Sequence, residues 1–252
     1  MGKFAVVTGD SRGLGKAVSS LFLESGIGVI GLSRNRNLEL EQIAEENHCF
    51  YKHLPIDLAN IQSIEENFPA IADTLLEQEA TTVYLINNAA SVEPIERAEN
   101  VKQTDLLRHF QLNAVAPMTL TNLLLKFASE KGMLLRIAMI TSGAAVRPTS
   151  GWSAYCSSKA SINMYTQTVA LEQDETNTGH KIIAFSPGIM DTEMQAVIRS
   201  SSASAFSGVK TFQQYKENNA LRNPALIASV LIDILFDEGM VNGKIYDVKN
   251  YV

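Results

Sequence analysis

Short β-branched runs alternate with amphipathic stretches along this chain, and that alternation constrains the fold more than any other feature. Residues 3–8, 29–33, 49–55, 82–87, 134–141, 181–186 and 244–248 read as strands. Residues 13–25, 61–78, 105–129 and 155–172 read as the helices between them. In 61–78 the apolar residues Ile61, Ile64, Phe68, Ile71 and Leu75 recur at helical spacing and share one face. Pro117 lacks an N–H and is expected to bend the long helix 105–129. Asn223-Pro224 reads as an N-cap followed by a proline at the first helical position, opening a helix to about Phe236. Strand–helix–strand repetition closes into a parallel sheet with right-handed crossovers. The expectation is an α/β fold: one doubly wound parallel sheet of about seven strands with helices on both faces.

Nothing in the composition suggests a second domain. The 252 residues carry no repeat, low-complexity tract or linker-like shift, so 1–252 is read as one unit. With 46% hydrophobic and 19% charged residues, the chain can bury a sizeable core. A net charge of −6 argues against a nucleic-acid or anionic-membrane partner. The apolar run 4–7 is too short for a signal peptide or a membrane span. Cys49 and Cys156 form no framework, which fits a reducing compartment and hence the cytoplasm. His48, His53, His109 and His180 show no ligand spacing, so no metal is expected. The stretch 189–221 breaks the β-α rhythm: it is serine-rich and dotted with Met190, Met194, Ile198, Phe206 and Phe212. So long an excursion after a strand end is either a substrate lid or a disordered loop. The lid reading is preferred, because such sheets bind ligands at that edge.

Between the first strand and the first helix lies Thr8-Gly9-Asp10-Ser11-Arg12-Gly13-Leu14-Gly15. Glycines let a backbone approach a pyrophosphate, and a helix N-terminus adds N–H donors and partial positive charge. In this place the loop points to a dinucleotide and a Rossmann-type sheet, although an ordinary βα turn with three glycines is the plainer alternative. An NAD site carries an acid about 20 residues on, at the end of the second strand. Here that place reads Ser33-Arg34-Asn35-Arg36, with no acid before Glu39. Arg34 would meet a 2′-phosphate through paired donors, with Arg12 as a second candidate. Unless both are merely solvated loop charges, the cofactor is NADPH/NADP.

Tyr155 and Lys159 stand four residues apart, so a helix presents them on one face. A free phenol has a pKa of roughly 10 and is a poor acid or base at neutral pH. A neighbouring ammonium is expected to move it toward a useful range. Ser142 ends the fifth strand, where its hydroxyl can hold a carbonyl oxygen. A solvent-facing lysine beside a packed tyrosine is the alternative for the pair alone, but the three features together are much rarer.

Taken together, these motifs resemble the classical short-chain dehydrogenase/reductases, from Lys3 to about Thr192. The resemblance rests on Thr8-Gly9, Gly13 and Gly15, Asp57-Leu58, Asn87-Asn88-Ala89-Ala90, Asn113, Ser142, Tyr155, Lys159, Pro187-Gly188 and Thr192. It implies that Tyr155 is the general acid for reduction and that Ser142 orients the carbonyl. It implies that Lys159 holds the nicotinamide ribose and tunes Tyr155, and that Asn113 supports a water relay to Lys159. Cofactor contacts are implied for Thr8, Gly9, Ser11, Arg12, Gly13, Leu14, Gly15, Ser33 and Arg34. Asp57 and Leu58 would flank the adenine, Asn88, Ala89 and Thr192 would border the ribose and nicotinamide, and Ala90, Pro187 and Gly188 would be further cofactor contacts. Ala90 departs from the family, which usually has Gly there. A homodimer or homotetramer through the helices 105–129 and 155–172 is also implied.

A narrower similarity links Gly151-Trp152, Tyr155-Cys156, Asp191-Thr192-Glu193-Met194-Gln195 and the ending Gly243-Lys244-Ile245-Tyr246-Asp247 to the sepiapterin reductase branch, which includes bacterial benzil reductases. The implied activity is reduction of one carbonyl of an aromatic 1,2-dicarbonyl. Reduction of a pterin side-chain carbonyl is the alternative, with Asp247 as the pterin anchor; a solvent-facing Asp247 would speak against it. Val146, Trp152, Met190 and Met194 are read as pocket walls rather than core, since they flank the Ser142–Tyr155 segment or open the lid. Two other readings stay open: an alcohol or sugar dehydrogenase, and a non-catalytic NADP sensor. The missing ribose acid argues against the first, and the intact Ser142, Tyr155 and Lys159 against the second.

Overall fold

The computed structural model describes residues 2–252. In chain order the elements are β1 (Gly2–Thr8), α1 (Gly13–Glu24), β2 (Gly28–Ser33), α2 (Leu38–Glu46), β3 (Tyr51–Pro55), α3 (Ile61–Glu77) and β4 (Ala80–Asn87). There follow α4 (Gln103–Phe110), α5 (Ala116–Lys131), β5 (Leu134–Ile140), α6 (Ser153–Glu175) and β6 (Lys181–Ser186). The chain closes with α7 (Glu193–Arg199), α8 (Val209–Glu217), α9 (Pro224–Phe236) and β7 (Ile245–Asp247). The seven strands form one sheet in the order β3-β2-β1-β4-β5-β6-β7, and every pairing is parallel. The expected α/β Rossmann-type sheet is therefore present.

Alternation along each strand divides the core. Ala5 and Val7 of β1 face α1, α2 and α9, packing with Val18, Phe22, Leu40, Ile227 and Leu231. Phe4 and Val6 point the other way, toward Ile64 and Leu75 of α3, Leu120 and Leu124 of α5 and Ile162 of α6. Both faces of the central strands are buried, which is why they read as continuous apolar runs. The strand order reverses between β1 and β4, so the loops at their carboxyl ends diverge and leave a crevice. No helix among the described residues is long and apolar enough to cross a membrane.

Three features depart from the sequence expectations. The long helix 105–129 is two helices joined by a π-turn over Gln111–Val115, just upstream of Pro117, which occupies the first turn of α5. A proline there supplies no N–H to the preceding turn, and the wider turn absorbs the mismatch. Helix α2 was not expected. Asn37 caps it by accepting from Glu39 N (3.0 Å), while its amide reaches Ser11 O in the glycine loop (2.8 Å). The excursion 189–221 is ordered by α7 and α8, and its two ends are stapled by Arg222 N to Ile189 O (3.1 Å) and Asp191 N to Arg222 O (3.0 Å).

Candidate active site

The glycine loop closes over its own backbone. Gly9 (φ +68°) and Gly13 (φ +56°) adopt left-handed conformations that L side chains disfavour. A Cβ on Gly15 would lie 2.2 Å from Gly9 O, so only glycine lets α1 start this close to β1. The first turn of α1 has no side-chain cap and no acidic residue. Its N–H groups suit an anion. Thr8 works behind the loop: its Oγ1 accepts from Asn88 N and Ala89 N (both 2.9 Å), and Asn88 Nδ2 donates to Thr8 O (2.9 Å). Thr8 and Gly15 thus shape the cradle without lining it.

A cleft of about 1040 Å³ runs from this loop across the strand ends. Gly9, Ser11, Arg12, Gly13 and Leu14 line one wall, and Ser33, Arg34, Asp57 and Leu58 line the far end. Asn88, Ala89, Ala90, Pro187, Gly188 and Thr192 line the middle. The cleft stands at the upper end of the ~300–1,000 Å³ of ordinary ligand pockets. The arginines differ in availability. Arg36 is held by Glu41 in a two-point ion pair, and Arg12 pairs with Glu193. Arg34 makes no salt bridge among the described residues. Glu39, the first acid after β2, is tied to Lys16 (2.6 Å) and does not line the cleft.

Ser142, Tyr155 and Lys159 meet where the cleft passes the ends of β5 and α6. Ser142 Oγ accepts from Ala144 N (3.2 Å), which leaves its O–H free to donate. Lys159 is buried, and its Nζ donates to Ile140 O (2.7 Å) and lies 5.9 Å from the Tyr155 ring centre. Burial lowers its pKa to about 8. Tyr155 is also buried, between the edge-on rings of Trp152 (5.4 Å) and His109 (6.2 Å). Its pKa is raised, chiefly by desolvation, while the Ser142 hydroxyl pulls it down. The expected lowering by the neighbouring ammonium is thus corrected: burial is the largest influence on the phenol, and the shift is upward. A raised phenol is protonated at neutral pH and poised to donate.

Beyond Tyr155 the cleft is walled by Trp152, Met190 and Met194, with Asp247 at its rim. Asp247 is half-buried and accepts from Lys249 N (3.0 Å) through one oxygen. Val146 does not belong here. It is 71% exposed and lies outside the cleft, because the short turn after Ser142 directs it to solvent and brings Arg147 and Thr149 inward. Asn113 also lies behind the wall. Its amide is clamped to Ser91, with Nδ2 on Ser91 O (2.7 Å) and Oδ1 on Ser91 N (2.9 Å). Only its backbone remains for the implied relay.

Several residues were missed. Phe212 and Tyr215 of α8 and the buried Gln195 of α7 line the cleft. Phe206 stacks on Trp152 (4.9 Å, 8°), and Phe212 meets it edge-on (5.4 Å). Aromatic residues in a serine-rich stretch were the available signal. The sequence offers His109 as no more than a histidine without ligand spacing, although its place four residues before Asn113 puts both on one face.

Comparison with known proteins gives a consistent picture. The family profile described as short chain dehydrogenase matches residues 3–203. The chain is 42% identical to a benzil reductase ((S)-benzoin forming) of Bacillus subtilis, over 98% of each chain. It is 28% identical to sepiapterin reductase of Bos taurus, covering 96% of this chain and 92% of that one. The solved structure of an NAD+-bound xylitol dehydrogenase superposes with a TM-score of 0.84 at 18% identity, covering 98% and 97% of the two chains.

Proposed function

Starting from a chain that belongs to the short-chain dehydrogenase family, we propose that it is an NADPH-dependent carbonyl reductase converting one carbonyl of an aromatic 1,2-dicarbonyl to a hydroxyketone. The observation that carries this reading is the joining of Ser142 and Tyr155 to an aromatic-walled cavity, in a chain so similar over its whole length to benzil reductase. The NADPH preference is supported by Arg34 beside Ser33, which has no salt bridge among the described residues, and by the diversion of Glu39 to Lys16.

When bound, NADPH supplies a hydride to the substrate's carbonyl carbon. Tyr155 donates its phenolic proton to the carbonyl oxygen as it becomes an alkoxide. Ser142 donates a hydrogen bond to the same oxygen and fixes which face of the carbonyl is presented. The Lys159 ammonium stabilises the phenolate that proton transfer leaves behind. Trp152, Phe212, Met190 and Met194 grip the aryl group away from water. The segment 189–221 acts as the lid, hinged where Arg222 and Ile189 are stapled. Together with the sheet it forms one domain over 1–252.

Reduction of a pterin carbonyl is the second reading, favoured by Asp247, whose carboxylate lines the same cavity and can accept from ring N–H groups. Leu107, Met164 and Leu171 are exposed apolar residues on α4 and α6, a face that a second copy would cover in a homodimer or homotetramer. The free thiols of Cys49 and Cys156 suit the cytoplasm. The test is NADPH consumption with benzil, sepiapterin and simple monoketones. Benzil should have the highest kcat/KM; a higher value for sepiapterin would transfer the assignment to the pterin, and turnover of neither would overturn the substrate reading.

A further inference from the structure

One buried titratable group is not used by this mechanism. His109 is 2% exposed. Its Nδ1 lies 2.6 Å from Glu93 O. A carbonyl only accepts, so Nδ1 carries a proton. The Asn113 amide is fixed with equal force. Ser91 N–H donates to Oδ1, so the NH2 group faces both Ser91 O and His109 Nε2, the latter at 3.1 Å. Two hydrogens meet two acceptors, and Nε2 must present its lone pair. Ser158 Oγ lies 2.9 Å from the same nitrogen and 2.9 Å from Tyr155 O, sharing its one proton between them. The Glu93 and Asn113 contacts together favour the neutral imidazole with its proton on Nδ1.

We propose that His109 is a positioning residue for Tyr155: its neutral imidazole pins α6 to the π-turn and to the loop after β4, holding the phenol at the reacting carbonyl. The proposal rests on the reading of Tyr155 as the acid. The imidazole touches three segments around Tyr155: Glu93 in the loop, Asn113 in the π-turn and Ser158 on α6, besides meeting the Tyr155 ring edge-on at 76°. Protonation would set a second N–H against the Asn113 N–H, so a contact must open. Burial lowers the His109 pKa, the Glu93 carbonyl opposes this, the Lys159 ammonium lowers it further, and an Ala154 backbone hydrogen bond raises it. From α6 the charge facing His109 is thus Lys159; the Glu93 side chain on the loop is exposed. The lowered pKa means that the neutral form is favoured by folding. The clamp is complete above about pH 6.5, the ordinary value, and is lost as pH falls through the lower folded value.

Two variants test this against wild type. His109→Phe keeps the ring but loses its hydrogen bonds; kcat on benzil should fall roughly tenfold or more, as expected for a displaced catalytic group. KM and NADPH affinity should change far less. His109→Gln can donate to Glu93 and accept from Asn113; it should recover most of kcat and abolish the acid limb of the wild-type pH profile. Unchanged kcat in His109→Phe, or an acid limb retained in His109→Gln, would overturn the proposal. A nitrogen-15 NMR spectrum of the wild-type imidazole needs no turnover. A proton on Nδ1 and a bare Nε2 at pH 7 are expected; an imidazolium or the opposite tautomer refutes the clamp even where a variant does not fold. If wild type reduced no carbonyl, the functional reading would fail, and this spectrum together with the Tyr155 ring-carbon shift in His109→Gln would still decide the positioning role.

Discussion

Replacing Arg34 by alanine should weaken NADPH binding and leave NADH nearly untouched. Of the four arginines near the adenosine end, Arg36 is neutralised by Glu41, Arg12 is engaged by Glu193 and Arg108 lies 3.3 Å from Asp57, whereas Arg34 lines the cleft without a carboxylate partner among the described residues. A charge-assisted hydrogen bond contributes about 1.5–3 kcal/mol. Arg34 is exposed, so water and salt screen the contact and the lower end applies. About 1.5 kcal/mol corresponds to roughly a tenfold loss of affinity at low salt, shrinking as salt rises. Dissociation constants for NADPH, NADH, 2′,5′-ADP and 5′-AMP, measured by calorimetry at two salt concentrations, read the 2′-phosphate contact directly. NADPH and 2′,5′-ADP should each lose about that factor. NADH and 5′-AMP should lose less than about twofold, having no group for Arg34 to hold. Equal losses for both pairs would refute the reasoning. No loss in Arg34→Ala but a tenfold loss in Arg12→Ala would move the phosphate to the other arginine.

Tyr155→Phe retains the ring between Trp152 and His109 but removes the proton, so turnover should drop by roughly 10²–10⁴-fold with NADPH affinity intact; a tenth or more of wild-type activity would exclude Tyr155 as the acid. Lys159, lowered to about 8, is charged at neutral pH and loses its charge as pH rises through that value. The kcat/KM for reduction should therefore fall above about pH 8, and a profile flat to pH 10 would contradict the role given to Lys159. Asp247→Asn should impair sepiapterin reduction strongly and benzil reduction little, since a diaryl diketone has no N–H to offer; comparable losses on both would make Asp247 structural.

Much of this was legible in the sequence because the physics is local. Strands buried on both faces announce themselves as unbroken apolar runs, and Tyr155 and Lys159 share a helix face by spacing alone. What was hidden depends on contacts far apart in sequence. Helix α2 has few apolar residues, and its cap Asn37 is placed by a bond to Ser11 in the glycine loop. The order of 189–221 comes from Phe206 and Phe212 packing on Trp152 and from Gly151, where a Cβ would meet Ala205 O at 2.3 Å. Val146 looked like pocket because it neighbours Ser142, but one turn of backbone sends it outward. The spacing of Tyr155 and Lys159 suggests a lowered phenol, whereas burial, invisible in the sequence, raises its pKa.

The measurement that bears most directly on the central claim is a single-product assay: benzil incubated with NADPH deuterated at C4 on the transferring face, followed by chiral chromatography and mass spectrometry. The product should be benzoin with one deuterium on the carbinol carbon, in a single enantiomer. In the proposed mechanism Ser142 and Tyr155 would hold one carbonyl oxygen, and the sheet would fix the side from which hydride arrives. A racemic benzoin, a doubly reduced diol as the first product, or a carbinol carbon without deuterium would contradict the account.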